Sequence, residues 1–307
     1  MNTAFVYPGQ GSQYVGMGKD LYETYPEIED LYLKANEILG YEISKFSFEG
    51  PEEQLKQTFI TQPAIVVHSL AAARMVKKKD ASFSAGHSLG EFSALIKAGA
   101  LDFEDGLKLV QLRGELMQKA GEKNKGTMAA IIGLNEKEIE DICTESSKHG
   151  IVQVANYNSP GQIVISGSVE GVHKAMDLAK ESRAKLVKEL VVHGAFHSPL
   201  MDEAKEDFKV ALDFTEFKKV SIPVYTNVTA KPITKFTDLD EIKELLYNQL
   251  TSAVKWDQSV VKMINDGAKE FIELGPGKVL QGLIKKIDGS VSIKGVDKVQ
   301  DVETINK

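Results

Sequence analysis

The pattern of apolar and polar positions divides the chain into stretches with different rhythms. In the first third, TAFVYP predicts a strand, QPAIVVHSLAAARMV a helix with Pro63 near its start, SFSAG a short strand, EFSALIKAG a helix, and LDFEDGLKLVQLRGELMQKA a long amphipathic helix begun by Asp102. Such alternation predicts a mainly parallel sheet covered by helices. After the turn GEKNKG the order becomes strand (TMAAIIG), helix (NEKEIEDICTESSK), strand (VQVANY), turn (NSPG), strand (QIVISG), helix (SVEGVHKAMDLAKES) and strand (AKLVKELVV). That βαββαβ order is the split βαβ pattern of a ferredoxin-like unit, with Pro160 and Gly161 marking its hairpin. The α/β rhythm then resumes with IPVYTN as a strand, helices through EIKELLYNQL and DQSVVKMIND, the strand KEFIELG and a helix after Pro276. The small unit, residues 127–192, therefore reads as an insertion into a large one made of residues 1–126 and 193–307. An insertion of this kind leaves a cleft between the two parts, where ligand sites are common.

Composition fits this picture. A chain of 307 residues, 42% hydrophobic and 26% charged, has material for one large core or two units. The single cysteine, Cys143, leaves no internal disulfide and points to a reducing compartment; its helical neighbours make it a packing residue. The start, MNTAFVYPGQG, has no basic leader, and the most apolar internal run, AIVVHSLAAA, is half a bilayer span and contains His68. The expectation is a cytoplasmic protein without a membrane segment. A net charge of −7 argues against general nucleic-acid binding, which needs a basic footprint. An acidic partner would have to meet a local patch, such as Lys77, Lys78 and Lys79 or Lys285 and Lys286, whose plain reading is solvated helix ends.

The stretch GHSLGE, Gly86 to Glu91, carries the first chemistry. G-x-S-x-G alone arises by chance, but here the serine follows a predicted strand and opens a predicted helix, the arrangement of a nucleophile elbow. In that geometry Ser88 projects its hydroxyl, and the Leu89 amide at the helix N-terminus can stabilise an oxyanion. The plain alternative is a serine that only caps the helix.

A nucleophile needs a base, and the chain has six histidines. His68 lies in an apolar helix and reads as a core residue; His149 and His173 fall on the inserted unit; His87 adjoins the serine and is expected to point elsewhere. His197 stands just before a helix whose N-cap is Ser198 and whose first residue is Pro199, a place that disfavours imidazolium and keeps a neutral base. The residues alone leave His197 and His193 both open.

Arg113 adds a third clue. Leu109, Val110, Leu116 and Met117 lie three and four positions away on the same helix, so the guanidinium leaves from the apolar stripe and must have a partner. That partner is either a buried protein carboxylate or a substrate carboxylate gripped by the planar fork.

Together these residues resemble a known family. PGQGSQ, GHSLGE, the arginine of QLRGELMQ, VANYNSPGQIVISG, GAFHSPLM, NQLTSAVKW and ELGPGKVL stand in the order of the malonyl-CoA:acyl-carrier-protein transacylases, fatty-acid synthesis enzymes that also occur as acyltransferase domains of polyketide synthases. The resemblance spans essentially the whole chain. It implies an α/β-hydrolase-like large subdomain interrupted by a ferredoxin-like one, a ping-pong transfer through a malonyl-serine, malonyl-CoA and acyl carrier protein as partners, and no metal or other cofactor. It further implies Ser88 as nucleophile, His197 as base, the backbone N–H groups of Gln10 and Leu89 as oxyanion hole, and Arg113 as the malonyl carboxylate site. Gln249 would orient His197 through its carbonyl, in place of a third acid. Met117 and Asn158 would line the pocket, and the phenylalanine of GAFH, Phe196, is the form associated with malonyl units. A monomer is expected. Two rivals stand beside this reading. A hydrolase of the same architecture is opposed by Arg113, and a non-catalytic carrier-docking module is opposed by the presence of both Ser88 and His197.

Overall fold

The computed structural model describes residues 2–77, 80–192 and 194–307, so Lys78, Lys79 and His193 lie outside the described residues. Its elements begin with β1 (Thr3–Tyr7), α1 (Lys19–Thr24), α2 (Pro26–Leu39), α3 (Ile43–Glu49), α4 (Glu52–Leu55), α5 (Thr58–Met75), β2 (Phe83–Gly86), α6 (Gly90–Lys97) and α7 (Phe103–Lys123). Next come β3 (Gly126–Ile132), α8 (Glu136–Ser146), β4 (Val152–Ser159), β5 (Gln162–Ser168), α9 (Val169–Glu181) and β6 (Leu186–Glu189). The chain closes with a 3-10 turn (Pro199–Met201), α10 (Asp202–Phe214), β7 (Val224–Tyr225), β8 (Pro232–Ile233), α11 (Leu239–Gln249), β9 (Val254–Lys255), α12 (Trp256–Asn265), β10 (Glu270–Leu274), α13 (Val279–Ile287), β11 (Ser292–Val296) and α14 (Val299–Ile305).

Two sheets result. The larger has the order β11-β10-β1-β2-β7-β8 and is parallel except for the β7–β8 pair. Every residue of β1 is buried, as expected of a central parallel strand covered on both faces. The smaller has the order β6-β3-β5-β4-β9, and its first four strands are antiparallel in the split βαβ pattern. Its fifth strand, β9, comes from the later part of the chain and pairs with β4 in parallel, Asn156 opposite Val254 and Tyr157 opposite Lys255. Cys143 packs in the core between this sheet and its helices, where burial pushes the thiol up to about 12.

The differences from the sequence reading have local causes. Pro63 lies inside α5 rather than near its start. A proline there frees the carbonyl four residues back, and the Tyr41 hydroxyl donates to that Phe59 oxygen at 3.3 Å. Asp102 stands at the N-cap of α7 but makes no cap bond, because its carboxylate pairs with Lys218 at 2.8 Å. β4 runs on through Ser159, leaving only Pro160 and Gly161 for the turn. β6 stops at Glu189, although the Leu190 amide still donates to the Met128 carbonyl of β3, and Leu190 to Val192 line a cavity; β7 stops at Tyr225, since Thr226 bonds Lys231 across the turn to β8 and Asn227 bonds Glu91 beside the serine elbow. Of the basic patches, Lys77 pairs with Glu27 at 2.8 Å and Lys286 donates to Gln162 at 2.9 Å. Among the described residues no helix is long and apolar enough to cross a membrane.

Close backbone approach fixes where β2 meets α6. A Cβ on Gly86 would lie 1.8 Å from the carbonyl carbon of Gly90, and one on Gly90 would lie 2.1 Å from the Tyr7 oxygen. Gly282, on the exposed side of α13, has open space around it. Gly86→Ala is therefore expected to cost more than about 3 kcal/mol in urea unfolding through backbone collision. Gly282→Ala should instead add about 0.5–1 kcal/mol through helix propensity; equal midpoints for the two variants would refute the assignment.

Candidate active site

The elbow is a strained turn held by side chains from distant segments. Ser88 has φ 50°, a left-handed conformation uncommon for a non-glycine residue. Its amide donates to Asn227 Oδ1 at 2.6 Å, while Asn227 Nδ2 donates to the Gly86 carbonyl at 2.7 Å, so one side chain brackets the turn. Gln249 Nε2 donates to the Ser88 carbonyl at 3.2 Å.

His197 meets Ser88 across the cleft. It too has a left-handed backbone, φ 58°, and Ser198 caps the following turn by accepting from the Leu200 amide at 3.3 Å. Its Nε2 lies 2.8 Å from Ser88 Oγ, and its Nδ1 lies 2.9 Å from the Gln249 carbonyl oxygen. A carbonyl only accepts, so Nδ1 carries the proton and Nε2 of the neutral ring is the acceptor for the Ser88 hydroxyl. Gln153 Nε2 donates to the His197 carbonyl at 2.8 Å and to the Thr251 carbonyl at 2.9 Å, tying β4 to this junction. Burial, reinforced by the Arg113 charge, pushes the imidazole down to about 3.

Arg113 is 1% exposed, and no carboxylate among the described residues touches it. Nη1 donates to Gln62 Oε1 at 2.8 Å, and Nη2 donates to Gln249 Oε1 at 3.0 Å and to Ser88 Oγ at 3.2 Å. Its Nε has no hydrogen-bond partner among the described residues, and the guanidinium carbon stands 5.6 Å from the centre of the Phe92 ring. The nearest counter-charge, Glu91, is reached only through Gln249, whose Nε2 donates to Glu91 Oε2 at 2.8 Å. Burial lowers the guanidinium to about 10 and raises the Glu91 carboxyl to about 7. Of the two partners open from sequence, the buried protein carboxylate is therefore not in contact.

A cavity of about 650 Å³ opens onto these groups, lined among others by Gln10, Ser88, Leu89, Arg113, Met117 and Phe196. The amides of Gln10 and Leu89 have no acceptor among the described residues, so both are free to donate beside Ser88. One expectation needs correction: Asn158 does not line the cavity, since its Oδ1 lies 2.8 Å from His87 Nε2, and Asn156 lines the wall instead, across the irregular stretch of β4. His87 borders the cavity, but its ring faces Asn158 and, tilted at 5.7 Å, the buried Trp256 rather than Ser88, as expected. Of the remaining histidines, His68 is buried with Nε2 at 2.8 Å from Asp297, and His173 pairs with Glu189 at 3.2 Å; His193 lies outside the described residues. Sequence reasoning missed Asn227, Gln62, Gln153 and Glu91. Only Glu91 left a signal, a charge inside the apolar helix EFSALIK.

An elbow serine, a neutral histidine and a buried guanidinium around one hydroxyl form an acyltransferase-type site. The chain belongs to the acyl transferase domain family, whose model matches residues 4–305. It is 44% identical over 303 residues to the malonyl CoA-acyl carrier protein transacylase of Bacillus subtilis, covering 98% of this chain and 95% of that protein. Its identity to the enzyme of the same name from Haemophilus influenzae is 42%, over 99% of this chain and 98% of that one. An acyl carrier protein S-malonyltransferase from Vibrio cholerae superposes with a TM-score of 0.95 at 40% identity, covering 99% of this chain and all of the other. A malonyl-transacylase solved in complex with a type II PKS acyl-carrier protein gives a TM-score of 0.96 at 38% identity, over 100% of this chain and 99% of that one.

The depressed imidazole has a kinetic consequence. His197 stays neutral as the pH falls below 6.5 toward 3, so modification of Ser88 by an uncharged phosphonate is expected to change less than about threefold between pH 8 and 5. A tenfold loss per pH unit below 6.5 would contradict it. Stability runs the other way: the unfolded chain takes up a proton that the buried ring refuses, so stability drops as pH falls through that window.

Proposed function

We propose that the chain transfers the malonyl group of malonyl-CoA to the phosphopantetheine thiol of an acyl carrier protein, supplying malonyl units for fatty-acid synthesis. The observation that carries this reading is the buried Arg113, 3.2 Å from the Ser88 hydroxyl and without a carboxylate of its own. A cation so placed is completed by an acyl group bearing a carboxylate. The activity named for the relatives at 42–44% identity supports the same substrate, as does the carrier-protein complex of the structural neighbour.

In this reading Ser88 Oγ attacks the thioester carbonyl while His197 Nε2 takes its proton. The oxyanion is held by the Gln10 and Leu89 amides, and loss of one such donor costs on the order of 3 kcal/mol. Collapse returns the electron pair to the carbonyl, the C–S bond breaks, and His197 protonates the departing coenzyme A sulfur. A malonyl ester remains on Ser88 with its carboxylate on Arg113. The carrier thiol then gives its proton to His197 and attacks the ester, and Ser88 recovers that proton as malonyl-carrier protein leaves. The Gln249 carbonyl keeps the ring oriented throughout. Every bond and proton is balanced by the serine, the histidine and the two thiols, so no metal or cofactor enters the scheme. The site is complete within one chain, and a cytoplasmic monomer is the working form in this reading.

Incubation with malonyl-CoA should leave a malonyl adduct on Ser88 by mass spectrometry; absence of an adduct near neutral pH would leave only a docking role. Arg113→Ala should lose on the order of hundredfold in malonyl transfer while accepting uncharged acyl groups better. An unchanged preference for malonyl-CoA would remove Arg113 from its role.

A further inference from the structure

We infer that Glu91 is a positioning residue that holds Ser88, His197 and Arg113 in register through one carboxylate oxygen. The inference rests on the roles proposed above for those three groups. Glu91 lies on α6, 2% exposed, and its Oε2 accepts from the Asn227 amide at 3.0 Å and from Gln249 Nε2 at 2.8 Å. Those two partners belong to the segment after β7 and to the end of α11, so the oxygen joins three separate parts of the chain.

Each partner leads directly to a reacting group. Asn227, fixed by its backbone, brackets the left-handed Ser88 through the Ser88 amide and the Gly86 carbonyl. Gln249 has three further contacts: Nε2 to the Ser88 carbonyl, Oε1 to Arg113 Nη2, and its main-chain oxygen to His197 Nδ1. Arginine only donates, so Gln249 must turn its oxygen toward Arg113, and its NH₂ group then needs the acceptor that Glu91 supplies. Without that acceptor the NH₂ group keeps only its longer bond to the Ser88 carbonyl, the amide is held less firmly, and the serine backbone and the guanidinium loosen together. A buried carboxylate is costly in a core helix, where an apolar side chain would pack at no electrostatic penalty. Oε2 remains an acceptor whether the carboxyl is charged or protonated, so the device works through hydrogen bonding.

The test compares Glu91→Leu and Glu91→Gln with the wild type, each first shown to be folded by its thermal transition. Two rates are read: modification of Ser88 by an uncharged phosphonate, and transfer from malonyl-CoA against acetyl-CoA. For Glu91→Leu, phosphonate labelling should fall on the order of hundredfold and the malonyl preference should shrink, because displacements of about 1 Å in a site have such effects. Glu91→Gln keeps an acceptor oxygen and should recover most of the loss. A folded Glu91→Leu with wild-type labelling and acyl preference, only less stable, would reduce Glu91 to a packing role and overturn the inference, as would an equal loss in Glu91→Gln. If Glu91→Leu does not fold, Glu91→Met, which keeps the length of the side chain but lacks the acceptor oxygen, is read by the same phosphonate rate, with the same expected fall and the same overturning result. The phosphonate does not use malonyl, so a wild type that is labelled yet takes no malonyl unseats the proposed function alone.

Discussion

A guanidinium buried without a touching carboxylate sets the conditions for everything around it. Burying such a charge is costly, and the fold offsets the cost with neutral acceptors: Gln62, Gln249 and the Ser88 hydroxyl. Those acceptors must come from α5, α11 and the elbow, so three elements far apart in sequence converge on one cation. The same charge disfavours a second one nearby, which helps to keep His197 neutral. The arginine thus sets a fixed positive charge in the cavity wall and, second to burial, helps to keep the imidazole beside it neutral.

The elbow shows how little of this can be carried by local sequence. Gly86 and Gly90 are required because backbone meets backbone at their α-carbons, and that requirement is visible in GHSLGE. The left-handed Ser88 between them is held by Asn227, a residue inside YTNVT that no periodicity marks. A long-range clamp made by an asparagine leaves no spacing to read.

The alternation of strands and helices and the βαββαβ run were legible because period-2 and period-3.6 patterns follow from burial on one face or both. The pattern was weakest where strands are short. β8 and β9 have two residues each, too few for any alternation to register, and neither was read as a strand. The region between Tyr7 and Thr58 was unread, in part because α1, α3 and α4 are too short to show an apolar stripe; α2 does carry one, Ile28, Leu31, Tyr32, Ala35 and Leu39, which the reading passed over. Ser88 and Arg113 could be picked out by type and context, whereas the choice of His197 over His193, and Gln249, came through the family resemblance. Asn158 was placed in the wall through the resemblance alone; in this chain it bonds His87 while Asn156 lines the cavity, on a strand whose register shifts at both sides of Tyr157.

The pairing of β9 with β4 bears on how the site adapts. Through that pair, the Gln153 bonds and the contact of Asn158 with His87, the smaller sheet is stitched to the residues flanking Ser88 and His197. These bonds oppose a hinge opening between the two sheets, which would have to break them and would drag the histidine and the elbow apart. Along the wall Met117 Sδ accepts from Gln62 Nε2 at 3.4 Å and is tied to the Arg113 network, while Met128 presents an unbranched thioether that can change rotamer without moving backbone. Selectivity in such a site is rigid at its charged end and yielding along its side.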